Sequence, residues 1–148
     1  MPTPDLQVQL DAVFRLVVAG VLGAVVGYER EAHGRPAGLR TYILVSLGAC
    51  LFTLVSILGF PGSEQARVAA QIVTGIGFIG AGTIIRAQAG VTGVTTAAGI
   101  WAIAAVGMAA GTGLYVLAIV TALGAVLVLQ FVRVKVERPA EGPTVDEP

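Results

Sequence analysis

The residues able to do chemistry in this 148-residue chain gather in three stretches. The most charged is "GYEREAHGRPAGLRT", in which Glu29, Arg30, Glu31, Arg35 and Arg40 precede Thr41. Alternating signs at this spacing invite a salt-bridge network. They could also meet a partner protein, anionic lipid headgroups, or a hydrated divalent ion held by Glu29 and Glu31. The metal reading is the weaker one, because the two glutamates point to different helix faces and the arginines oppose a cation. No metal and no cofactor are predicted.

The second stretch, "ARVAAQIVTGIGFIGAGTIIR", places Arg67, Gln71 and Thr74 beside Gly75, Gly77, Gly80 and Gly82, and ends on Arg86. The third, "GVTTAAGIW", brings Thr95, Thr96 and Trp101. Polar groups left unpaired in hydrocarbon are costly, so Arg67, Gln71, Thr95 and Thr96 need partners. Arg67 can pair with Glu64, and Arg15 with Asp11, at helical spacing. His33, the single histidine, sits in the basic loop with no nucleophile beside it, and Cys50, the single cysteine, lies in an apolar run. Neither supports an enzyme or a disulfide.

What must position these residues is a set of helices in lipid. The composition is 55% hydrophobic and 12% charged, with a mean hydropathy of +0.85, too few charges to coat a soluble domain. Continuous apolar runs without strand alternation predict an all-α, five-transmembrane-helix bundle over residues 10–132, with helices at about 10–28, 41–60, 66–86, 93–110 and 113–132. Gly34 and Pro36, Pro61-Gly62-Ser63, Ala89-Gly90 and Gly111-Thr112-Gly113 punctuate them. Arg30, Arg35, Arg40, Arg86, Arg133, Lys135 and Arg138 fall at one side, leaving Arg15 and Arg67 at the other. The positive-inside rule then puts residues 1–9 outside and the tail, 133–148, in the cytoplasm, where its Pro-, Glu- and Asp-rich end is predicted to be disordered.

Small residues should let helices approach closely. Ala19, Gly23 and Gly27 form one stripe, and Ala98, Ala102, Ala105 and Ala109 a second. Gly75, Gly77, Gly80 and Gly82 mark the third helix either as a tight crossing, at the protein-facing centre of the bundle, or as an unwound stretch lining an ion path. Trp101 reads as a packing residue. At an offset of 55 residues Gly20, Gly27, Gly38 and Thr41 match Gly75, Gly82, Gly93 and Thr96, the trace of a parallel repeat of helix pairs.

The three motifs, in this order, resemble the MgtC/SapB family of bacterial inner-membrane proteins over about residues 10–131. The resemblance implies a multi-pass inner-membrane protein linked to magnesium limitation and to virulence. It further implies action on other membrane machinery, notably ATP synthase, as in the family's best-described members; with His33 beside no nucleophile, no enzyme is expected. Longer members add a soluble ACT-like domain; here residues 133–148 follow the fifth helix, so only the membrane domain is matched. The leading expectation is therefore a regulatory or interaction protein, a homodimer in the bilayer with a possible membrane-protein partner and no nucleic acid. The competing one is a transporter or channel for magnesium or another small cation. Against that, Asp11, Glu29, Glu31 and Glu64 all fall at segment ends.

Overall fold

The computed structural model describes residues 5–60, 64–87 and 90–131. It contains α1 (Leu6–Ala32), α2 (Leu39–Gly59), α3 (Gln65–Ala81), a hairpin of β1 (Ile85–Ala87) and β2 (Gly90–Thr92), α4 (Val94–Gly111) and α5 (Tyr115–Phe131). Three helices, α1, α2 and α4, are long and apolar enough to cross a membrane, and α5 is a shorter apolar helix. The chain is a membrane protein with five helices among the described residues. Arg133, Lys135, Arg138 and the tail predicted to be disordered lie outside them.

Helix ends follow local chemistry. α1 stops where Gly34, at φ 62°, takes a left-handed conformation, so that the Arg35 and Gly34 amides bond back to the Arg30 and Glu31 carbonyls. The same device ends α4: Gly113 has φ 81°, and the Leu114 amide reaches the Ala109 carbonyl at 2.8 Å. That turn folds α5 directly back along α4.

α3 departs from its expected course. Rather than running to Arg86 it ends at Ala81, where the Thr83 amide and hydroxyl both donate to the Gly80 carbonyl. The β-branched run Thr83-Ile84-Ile85 then favours extended backbone. Arg86 is consequently on β1, facing Val91 across an antiparallel pair. Gly93 closes the hairpin at φ 88° and caps α4, its Cα packed on the Thr83 carbonyl.

The centre of the bundle is α4, which touches all four other helices; α3, expected there, is peripheral. α2 is clasped on both sides by glycines. A methyl placed on Gly23 would meet the Tyr42 carbonyl oxygen at 2.9 Å, one on Gly27 the Leu39 Cα at 2.8 Å, and one on Gly111 the Cys50 carbonyl oxygen at 2.9 Å. Gly99 makes room for the end of the Tyr42 ring, and Gly107 for the Ser46 carbonyl. Between lipid-solvated helices such van der Waals closeness does the work that hydrophobic burial does in water. Polar groups reinforce it: the Ser46 hydroxyl donates to the Ala19 carbonyl at 2.8 Å, tying α2 to α1.

The Ala19, Gly23, Gly27 stripe thus lies buried against α2, but the small face of α4 is not the one expected. Ala98 and Ala105 are exposed and Ala102 and Ala109 half-buried, while Gly99, Ile103, Gly107 and Gly111, spaced in fours, face the core.

Candidate functional site

Two engaged ends organise the charged residues. At one end Arg15 pairs with Asp11 at 2.7 Å and donates to the Gly111 carbonyl at 2.8 Å, so a cation sits on the C-terminus of α4, where the helix dipole favours it. The expected Asp11–Arg15 pair is therefore also a cap on another helix. The other end, termed the basic end, brings together the C-termini of α1, α3 and α5 and the N-termini of α2 and α4.

At the basic end Glu29 and Arg30 are both buried and are joined twice, through Arg30 Nε and through Arg30 Nη2, the latter at 2.7 Å. Arg30 Nη2 also donates to the Leu129 carbonyl at 3.1 Å, fixing the end of α5 on α1. His33 Nδ1 donates to the Glu29 carbonyl at 2.8 Å and lies 3.2 Å from the Glu29 carboxylate. So His33 is not a free loop residue; it closes α1. Glu31 accepts from the Leu39 amide at 2.8 Å, placing its carboxylate on the first turn of α2. Glu31→Ala is expected to lower stability by roughly 1 kcal/mol, the usual cost of a lost helix cap, read as a shift in the thermal midpoint in detergent.

The predicted network is thus smaller than the motif suggests. Arg35, Arg40 and Arg86 are exposed and have no ion-pair partner among the described residues; Thr41 is half-buried beside them in sequence. Thr96 is buried and Thr95 exposed at the start of α4.

α3 carries the remaining candidates outward. Arg67 is exposed, 4.0 Å from Glu64, and Gln71 is exposed. Gly75 and Gly77, expected at packing contacts, would offer a methyl nothing within 4 Å; Gly80 packs on Ala97, and Gly82 is exposed beyond the helix end. Trp101 is half-exposed, bordering a cleft with Ile72, Ile76 and Met108 instead of sitting in the core. A groove of about 520 Å³ between α2 and α3 is floored by Gly48 and Gly75 and edged by Gln71. Reasoning from sequence missed Tyr42, Ser46, Gly99, Gly107, Gly111 and the Leu129 carbonyl as the groups that hold the bundle. The fourfold spacing of the α4 glycines was the available signal.

A glycine-clasped helical membrane bundle with a buried Glu-Arg pair at its basic end is the class these features define. The chain belongs to the MgtC family, whose model matches residues 16–138. It is 43% identical over 126 residues to the "Putative magnesium transporter YhiD" of Escherichia coli, covering 80% of this chain and 59% of that protein. It is 41% identical over 114 residues to "Protein SapB" of Bacillus subtilis (71% and 49%), and 50% identical over 99 residues to "Protein MgtC" of Brucella abortus (67% and 42%). The chain therefore spans about half the length of these relatives. No solved structure matches it.

Proposed function

We propose that the chain is a regulatory and interaction protein of the bacterial inner membrane. In this reading all five helices cross the bilayer, the amino terminus is outside and the basic end is cytoplasmic. It serves cells under magnesium limitation by contacting other membrane machinery, of which ATP synthase is the example the family resemblance supplies. One observation carries the reading: both carboxylates of the basic end are engaged, Glu29 by Arg30 and Glu31 by the Leu39 amide, whereas Arg35, Arg40 and Arg86 are exposed without ion-pair partners among the described residues. A surface of unneutralised guanidiniums suits an acidic protein contact, and a divalent cation would need those oxygens free.

The test is the full-length chain carrying Arg35→Ala, Arg40→Ala and Arg86→Ala together. Loss of capture of a membrane partner and loss of growth support at low magnesium, with membrane abundance unchanged, are the expected results. Unchanged capture and growth would sink the reading. The printed name of the Escherichia coli relative favours a second reading, magnesium transport. Magnesium flux in proteoliposomes that required Gln71 or Arg67 would put it first.

A further inference from the structure

The outward face of α3 has a composition that hydrocarbon does not favour. Arg67, Gln71, Thr74 and Phe78 follow one another at spacings of four, three and four, the pattern of a single helical seam, and all four are exposed. Phe78 stands 85% exposed, Gly75 and Gly77 flank the seam without neighbours, and the Gln71 amide has no hydrogen-bond partner among the described residues. The groove between α2 and α3 opens beside the same seam.

The glycine faces of α1 and α4 are already filled. Gly23 and Gly27 on α1 and Gly99, Gly107 and Gly111 on α4 are closed against α2. The outer face of α5 is the bulky aliphatic set Val116, Val120, Leu123 and Leu127, which lipid covers well; Gly124 is the one glycine on that helix, and Ala118 and Ala122 are buried.

We propose that the α3 seam is the contact face of a homodimer, with the Gln71 amides of two copies bonded to each other across a twofold axis along the membrane normal. A residue lying on such an axis stands opposite its own equivalent, so only a group that both donates and accepts can satisfy itself there. A primary amide does both. Gly75 and Gly77 allow close backbone approach on either side, Phe78 of one copy enters the α2–α3 groove of the other, and the Glu64 beside each Arg67 offsets the meeting of like charges at the rim. An acyl chain would fill the groove but leave the amide unbonded. The dimer does not rest on the basic end or on the regulatory reading.

The experiment uses the full chain in native membranes. Thr74→Cys should form a disulfide-linked dimer under mild oxidation, whereas Val120→Cys on α5 and the parent chain, whose Cys50 is fully buried, should not. In liposomes, single-molecule photobleaching should show two chains per spot, and Gln71→Leu should weaken association about three- to tenfold with the thermal midpoint of the monomer unchanged. Equal cross-linking at positions 74 and 120 would overturn the proposal, as would one chain per spot, a Thr74→Cys adduct with a different protein, or a monomer that retains a phospholipid in native mass spectrometry. The Arg35, Arg40 and Arg86 substitutions should leave the dimer intact, so failure of either reading is separately visible.

Discussion

Gly107→Ala is expected to be among the most damaging single-methyl changes in the protein, lowering stability by about 2–4 kcal/mol. The new methyl would be driven into the Ser46 carbonyl oxygen, which is backbone and cannot rotate away. Ser46 is itself tied to the Ala19 carbonyl, so α2 cannot back off from α4 without pressing on α1. The measurement is unfolding of the detergent-solubilised protein by heat or by increasing denaturing detergent. Gly124→Ala is the control, since nothing lies within 4 Å of the added methyl; it should be neutral or slightly stabilising because alanine is the better helix former. Equal effects from the two substitutions would show that the α2–α4 approach is looser than described.

Removing Glu29 should cost as much or more. Glu29→Ala leaves the buried Arg30 guanidinium with only the Leu129 carbonyl, and breaking a buried pair by deleting one partner typically costs about 3–5 kcal/mol. The double variant Glu29→Leu with Arg30→Met should recover most of that loss, because it removes the orphaned charge along with its partner. A double-mutant cycle read by thermal midpoint gives the coupling, and near-additive losses would refute it. The exposed pair Glu64–Arg67 makes the comparison: Glu64→Ala should change the midpoint little, since exposed pairs contribute little.

How legible these features are in sequence depends on what marks a helix face. The α1 stripe is visible because Ala19, Gly23 and Gly27 stand among large aliphatics. α4 is apolar on every side and rich in both alanine and glycine, so its alanines read as the packing face while Gly99, Gly107 and Gly111 hold it. The end of α3 is hidden for a related reason: Ile84 and Ile85 prolong the apolar run, while the β-branched run and the positive φ of Gly90 and Gly93 turn the chain into a hairpin. Glu29 and Arg30 are neighbours whose Cα–Cβ bonds diverge around α1, so their pairing depends on long side chains bending together under α5. No local pattern encodes that, because Leu129 is 99 residues away in sequence. The polarity of the α3 seam is plain in sequence; that it faces outward becomes known only once α4 is seen to occupy the centre.

The clasp around α2 also dictates an order of assembly. As the chain emerges from the ribosome and enters the bilayer, α1 and α2 can zip together at once, since Gly23, Gly27 and the Ser46–Ala19 bond belong to that pair alone. The opposite side of α2, with the Tyr42 ring and the Ser46 and Cys50 carbonyls, has no glycine to receive it until α4 is inserted. Arg15 likewise waits 96 residues for the Gly111 carbonyl that will accept its hydrogen bond. The first hairpin is therefore a half-finished intermediate, and synthesis of α4 is the step that commits the bundle to its final form.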